Sequence, residues 1–549
     1  MPELTIFATM NPDTSAKTSF KVVQIPYRAT GYFSGLVLDY LDEAADLKPF
    51  YHRFPRLAHF AEQAKEKSAQ YPHREALVEA LEAQYASAKL KSASIAQLAS
   101  ANTFCITTGH QVCLFTGPVY FIYKIVSAIK TCRLLSAAHP QLQFVPVFWM
   151  ATEDHDFAEA NHFELRSGKI SWEGSQQGAV GRMTTEGLQV VAEQLREALG
   201  LGYHAADLLK RFEQAYLGHD TIAAATRYLV HQLFGAYGVV CVDGDDAMLK
   251  RLAAPVFRRE LFDQLSYTAV TESSEALSAH YSVQAHPREI NLFYLGDGKR
   301  ERIVRAEDGS FEVVNSHLRF SAKEMEAMVG SHPERLSPNV VLRPLYQELV
   351  LPNLAYIGGG GELAYWFQLK AMFETYAVPF PILMLRNSGL MLSGKDARRL
   401  EALGLHIEAL FEDPVALETA LVKRETAEDL QLKEARESLA LLYGDLEERL
   451  GRVAPTLARS ARSAFKRSEH LLSSLEKKLL RAERKKQSIL LQRLHGLRGG
   501  LFPGGSLQER KLNFAEFYMA YGPAFIDSLL DHFDPFLSAL TVLQEVENP

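Results

Sequence analysis

Four segments of this 549-residue sequence gather side chains that could do chemistry. Glu153-Asp154-His155-Asp156, with Asn161 and His162 beyond, follows an apolar run that contains Trp149. Carboxylates buried beside a histidine are costly unless they move a proton, bind an ammonium or ligate a metal. His155 is the candidate general base, because imidazole titrates nearest working pH. Asp154 or Asp156 would orient it, with Glu153 helping to hold an amine and Asn161 within reach. The plainer role is to cap the next helix, for which Asp156 is suited.

The second segment is Thr108-Gly109-His110-Gln111, followed by Thr116-Gly117 ahead of Pro118. Glycine-containing turns into a helix present backbone N–H groups to an anion, and the helix dipole adds to the attraction. His110 and Gln111 would add side-chain hydrogen bonds, and Lys124 would face phosphate or solvent. The third is Gly358-Gly359-Gly360-Gly361, where backbone can approach a ligand closely, with Glu362, Tyr365 and Gln368 on the helix that follows. Arg343 and Gln347 upstream line the same crevice or else form surface ion pairs. The fourth, Gly504-Gly505 with Gln508, Glu509 and Arg510, reads as a second ligand loop.

The elements that must position these groups are legible in outline. Thr103 to Thr107 is β-rich, TGHQ is its loop, Tyr120 to about Ala138 has helical spacing, and Phe144 to Met150 is a second apolar run. That is a βαβ unit, and near-continuous apolar strands suit a parallel sheet covered on both faces. Val239 to Asp243, Asn353 to Ile357 and Pro379 to Leu385 add strands, Glu362 to Tyr376 a helix, and Gly296-Asp297-Gly298 the turn of a hairpin. Ligands of such sheets bind outside the C-terminal strand ends.

Beyond residue 405 the pattern changes. Leu432, Ala435, Leu439, Leu442, Leu446 and Val453, then Leu472, Leu475, Leu479, Ala482 and Ile489, follow the spacing of a coiled-coil seam. Two long helices separated near Pro455 are expected. From Glu408 to Leu450 there are 12 acidic and 5 basic residues, but 3 acidic and 12 basic from Arg459 to Arg498. Antiparallel pairing of these arms, inside one chain or across a dimer, would satisfy both. The expected organisation is an α/β core over 1–404 with N-terminal helical support and insertions at about 165–235 and 255–335. A helical coiled-coil arm follows over 405–498, and 499–549 packs back on the core.

Size, at roughly 150 residues per domain, excludes a small stapled scaffold, and a net charge of -7 argues against a surface devoted to nucleic acid. Four cysteines, none in a CxxC spacing, fit a reducing compartment. Met1-Pro2-Glu3 does not open a signal peptide, and no apolar run reaches the ~18 residues of a membrane span. A cytoplasmic protein is expected.

Four stretches resemble the cysteine ligases of bacillithiol biosynthesis, the BshC family: TTGHQVCLFTGPVYFIYK (107–124), PVFWMATEDHDFAEANH (146–162), VLRPLYQELVLPNLAYIGGGGELAYWFQLK (341–370) and LFPGGSLQERKLN (501–513). Similar proteins more often read TGQQ where this one has TGHQ. The resemblance implies a Rossmann-like core with inserted connecting segments, akin in shape to class I aminoacyl-tRNA synthetases, and a coiled-coil arm that makes a homodimer. It implies amide formation between the carboxyl of L-cysteine and the amine of glucosaminyl malate. Carboxylate activation by ATP or another nucleotide is expected, with no metal other than magnesium carried by that nucleotide. Gly109-His110 and Met391 to Lys395 only faintly echo the two phosphate-binding signatures of the synthetases. Two alternatives stand beside this reading: a metal-dependent hydrolase using Glu153, Asp154, His155, Asp156 and His162, and an RNA-binding or scaffolding protein acting through the basic helix.

Overall fold

The computed structural model describes residues 19–426 and 430–546, so the Met1-Pro2-Glu3 segment lies outside the described residues. The chain divides into two units, one of residues 1–28, 32–391 and 506–549 and the other of 29–31 and 392–505.

The first unit is built on five parallel strands: β1 (Thr103–Gln111), β2 (Gln143–Ala151), β3 (Val240–Asp243), β4 (Asn353–Gly358) and β5 (Ile382–Leu385). Their spatial order is β5-β4-β1-β2-β3. The order reverses between β1 and β4, the switch point of a Rossmann-like sheet. Ile106, Leu354, Ala355, Ile357, Ile382 and Met384 pack under Ala128, Cys132 and Leu135 of the crossover helix Tyr120–Ala138. Each large apolar side chain so buried contributes about 1.5–3 kcal/mol.

Three sequence expectations change. TGHQ is the end of β1, in register with Phe148 to Ala151 of β2, so it is a strand end and not a loop. The connection is Val112 to Val119, in which Phe115, Thr116 and Gly117 have φ of 47°, 70° and 63°. Asn513 holds this turn: its Nδ2 donates to the carbonyls of Phe115 at 2.7 Å and Gly117 at 2.6 Å. The helix expected over 362–376 is two, Gly360–Trp366 and Lys370–Tyr376, and the glycine run supplies the first turn of the former.

Between β2 and β3 lie the hairpin His162–Leu165/Gly168–Ser171 and a group of helices. Between β3 and β4 lies a five-stranded antiparallel sheet that includes Leu292–Gly296 paired with Lys299–Arg305. Ser19–Pro26 pairs antiparallel with Ala539–Val546, tying the two ends of the unit together.

The second unit contains the antiparallel helices Lys433–Val453 and Pro455–Lys486. Their shared face is not the seam read from sequence. Tyr443 meets Phe465 and Ser468, whereas Leu442, Leu446, Val453, Leu475 and Ile489 are exposed. Nor do the charges pair only acidic arm to basic arm: Glu447 meets Arg462, but Arg436 on the acidic helix meets Glu476 on the basic one at 2.6 Å. The chain carries two apolar stripes per helix, and the hairpin uses the one that includes Tyr443. Met391 to Lys395 leads into the helix Gly394–Ala402, whose N-cap Ser393 accepts the Asp396 N–H.

Candidate active site

The C-terminal ends of β1, β2 and β4, with the residue that follows β5, open onto one cavity of about 930 Å³. The insertion before β4 supplies its other wall through Arg288, Phe293, Arg300, Arg302 and Pro338 to Val340.

Lys124, in the second turn of the crossover helix, is buried among β1 and β4. Its Nζ donates to Gly109 O at 2.7 Å and pairs with Glu362 at 2.5 Å. Burial pushes this ammonium below its usual range, against the opposing pull of Glu362. The carboxylate also accepts the Gly359 N–H at 2.8 Å and the Tyr356 hydroxyl at 2.6 Å. Burial alone would raise Glu362, but Lys124 and these donors bring it below the ordinary carboxylate range. A Cβ at Gly358 would lie 3.0 Å from side-chain atoms of Glu362 and Leu363 and press on both, whereas Gly361 faces open space.

His110 packs edge-on against Tyr120 and Phe121. Burial, and then the Lys124 charge, push its pKa down to about 3, so the ring is neutral. A neutral imidazole donates and accepts hydrogen bonds as an amide does. The gap between His110 and the glutamine of similar proteins is therefore small in chemical terms.

At the ends of β1 and β2, Gln111 Nε2 donates to Asp154 Oδ2 at 2.8 Å, while Gln111 Oε1 is buried without a partner. Arg300 Nη1 lies 3.1 Å from His155 Nδ1. A guanidinium cannot accept, so Nδ1 holds the lone pair and the proton sits on Nε2. His155 is thereby set to donate, and its nearest approach to Asp154 is 3.9 Å. Glu153, also on the cavity lining, is held in a buried pair with Lys250 at 2.6 Å, and Lys250 meets Asp245 at 2.8 Å. Burial works against the Lys250 charge, yet the two carboxylates hold its pKa above the usual value. Asp156 caps the helix Phe157–Ala160.

Of the residues singled out in the sequence, Gly109, His110, Gln111, Lys124, Glu153, Asp154, His155, Arg343, Gly359, Gly360, Gly361, Glu362, Tyr365 and Arg510 line the cavity. The others do structural work. Thr108 Oγ1 ties β1 to Ile357 O of β4, and Thr116 and Gly117 form the strained turn. Asn161 bonds Trp172 O. Gln347 accepts from Arg343, and Gln368 pins residues 284 and 285. Glu509 accepts from Arg386 at 2.7 Å and from the Gly389 N–H at 2.9 Å, while Gln508 accepts the Met391 N–H. Gly504 and Gly505 belong to the second unit, in a turn with φ of 61° and 78°. His162 bonds Asn161, and among the described residues no group of three or more His, Cys, Asp or Glu is arranged to hold a metal.

Sequence reading missed Arg386, Arg300, Arg302, Arg288 and Glu159, all on the cavity. Arg386 had a usable signal, since it directly follows β5 and so stands at the strand-end edge. The three insertion residues had none. Glu362 neutralises Lys124, Glu509 neutralises Arg386, and Lys250 neutralises Glu153. That leaves Arg343, Arg300, Arg288, Arg302 and Arg510 against Asp154 and Glu159, with no ion pair joining the two sets among the described residues. The site favours an anionic ligand that also bears an amine.

Residues 20–387 match the family model described as bacillithiol biosynthesis BshC, N-terminal Rossmann-like domain, and residues 389–545 match its C-terminal coiled-coil domain. Relatives named "Putative cysteine ligase BshC" include those of Flavobacterium psychrophilum, 41% identical with 95% of this chain and 99% of that protein covered, and Flavobacterium johnsoniae, 43% identical with 93% and 97% covered. That of Christiangramia forsetii is 40% identical with 94% and 98% covered. Strand order, cavity and the matched length of both domains lead to one assignment: this chain belongs to the BshC family of bacillithiol biosynthesis.

Proposed function

We propose that the chain is a ligase that joins the carboxyl group of L-cysteine to the amine of glucosaminyl malate, the amide-forming step that completes bacillithiol. The observation that carries this reading is one switch-point cavity lined both by acceptors and by cations that have no acid partner among the described residues.

The acceptor patch is Gln111 Oε1, Asp154 and Glu159, which suits an ammonium. Asp154 takes the proton the amine must lose before it attacks, a revision of the sequence reading, because His155 Nδ1 is occupied by Arg300. His155 then donates from Nε2 to substrate oxygen. Among the described residues Arg343 donates to Gln347 and Tyr365 and pairs with no carboxylate, so its charge is available to a phosphate or carboxylate beside β4. Hydroxide is a poor leaving group, and ATP with its magnesium would supply a better one. Arg343 and the space beside Gly361 fit such a polyanion.

The arm makes the chain a homodimer in this reading. Leu442 and Leu446, and Leu471 and Leu475, are exposed pairs at i,i+4 spacing, and a second copy would cover them.

Purified protein incubated with cysteine, glucosaminyl malate and ATP should yield bacillithiol, with AMP or ADP identifying how the carboxylate is activated. No product, even with cell extract of a bacillithiol producer added, would remove the reading. Asp154→Asn should lower the rate at least about 100-fold, the scale of a general base, whereas His155→Gln should cost less.

A further inference from the structure

Two cations of the cavity are placed for a purpose the reaction centre does not require. Arg302 lies on the strand Lys299–Arg305, where alternation puts Arg300 and Arg302 on one face. Arg300 is held through all three of its nitrogens: Nε donates to Ser337 Oγ at 2.9 Å, Nη2 to Pro338 O at 3.0 Å, and Nη1 to His155. Arg302 has no side-chain partner among the described residues. Arg288, on the connection that precedes Leu292–Gly296, has none either.

Both arginines also line a second cavity of about 260 Å³, with Tyr267, Pro287, Glu289, Ile290, Val304 and Arg305. They therefore stand on the wall common to the two spaces. The annex holds three guanidiniums against one carboxylate, Glu289, and so attracts anions. It is built wholly from the insertion, whereas Lys124 belongs to the crossover helix, Arg343 to the helix Arg343–Val350 that precedes β4, and the glycine run to the β4 end.

We infer that Arg288 and Arg302 form the subsite for the two malyl carboxylates of the amine substrate, and that this pair makes the enzyme select the malyl glycoside over free glucosamine. The inference rests on the proposed reaction for the identity of the ligand. A guanidinium binds a carboxylate through paired N–H donors, and two carboxylates on neighbouring carbons call for two such cations from separate segments. A nucleotide phosphate is the other anion that could sit here. The dicarboxylate is favoured because the insertion wall lies apart from the strand-end groups suited to a nucleotide.

The test is equilibrium binding by calorimetry, which needs no turnover, on the full-length protein with glucosaminyl malate, glucosamine and a non-hydrolysable ATP analogue. Wild type should bind glucosaminyl malate at least about tenfold more tightly than glucosamine, the fold-change of one charge-assisted hydrogen bond. Arg288→Gln and Arg302→Gln should each weaken glucosaminyl malate by about tenfold, with glucosamine and the ATP analogue unchanged; Arg302→Lys should recover part of the loss. Both positions are exposed, so the variants should keep the wild-type melting temperature. Unchanged affinity for glucosaminyl malate in both variants, no binding of it by wild type, or loss confined to the ATP analogue would each overturn the inference. Selective binding lost in the variants, beside an absence of ligation, would instead leave the subsite standing and remove the proposed reaction.

Discussion

Residues at the strand ends set the charge states on which the site depends, and two substitutions test them. Glu362→Gln leaves the Lys124 ammonium buried without its carboxylate. The cost at pH 7 should be about 3 kcal/mol, the low end for breaking a buried pair, because the Glu362 side chain is 24% exposed. Glu362 sits below the ordinary carboxylate range when folded, so its stabilisation is present above the unfolded pKa and disappears as pH falls through the folded one. Urea unfolding should therefore show the gap between wild type and variant closing in acid. His110 has the same sign for a different reason. Below pH ~6.5 the unfolded chain takes up a proton that the folded ring, at about 3, refuses. His110→Gln should match wild type at pH 7.5 and be more stable by up to about 2 kcal/mol at pH 5, with activity retained because the amide keeps a donor and an acceptor. A stability difference independent of pH would contradict the neutral ring. The identity of these residues was visible in the sequence, because glycine, histidine and lysine gather where βαβ topology puts ligands. Their partners were not: that Lys124 is neutralised by Glu362, and that Arg300 donates to His155 Nδ1, depends on residues 238 and 145 positions away.

The elements that hold those residues are joined by a connection that is costly in isolation. Phe115 and Thr116 occupy the left-handed region, which bulky and β-branched residues avoid. Asn513 compensates by closing the turn from a distant segment: besides its two carbonyl contacts, Val119 N–H donates to Leu512 O at 2.8 Å. Asn513→Ala would leave two carbonyls without donors in a buried setting. A loss of about 3 kcal/mol is expected, together with a rise in KM, since the same turn sets the position of Tyr120 and Lys124 at the start of the crossover helix. Wild-type stability with Asn513→Ala would mean that the turn needs no clamp. The segment 501–513, read in the sequence as a second ligand loop, thus acts mainly as a brace through Gln508, Glu509 and Asn513, and only Arg510 reaches the cavity. Apolar continuity in Phe144 to Met150 and Asn353 to Ile357 made the parallel sheet legible, since strands buried on both faces leave little ambiguity. The braces were not, because a glycine pair followed by polar residues has the same composition whether it grips a ligand or another part of the chain.

For the molecule as a whole, the net charge of -7 averages two helices of opposite sign, and their pairing within one chain does not use up that contrast. Among the described residues Glu447 pairs with Arg462 from the acidic helix to the basic one, while Arg436 of Lys433–Val453 pairs the other way with Glu469 and Glu476 of Pro455–Lys486. Lys477, Lys478, Arg481 and Lys485 remain exposed on the basic helix, as do Leu471 and Leu475. A twofold arrangement could set the acidic helix of one copy against the basic helix of the other and cover both leucine pairs at once, which an isologous interface does twice over. Sedimentation should then find a dimer at micromolar concentration, weaker at 500 mM than at 100 mM salt because the charged part of the contact is screened. Leu442→Glu with Leu475→Glu should give a monomer of undiminished helicity, since more than half of each residue is exposed within the single chain. A monomeric wild type, or a double variant that still sediments as a dimer, would show that the outward leucine stripe serves something other than a second copy.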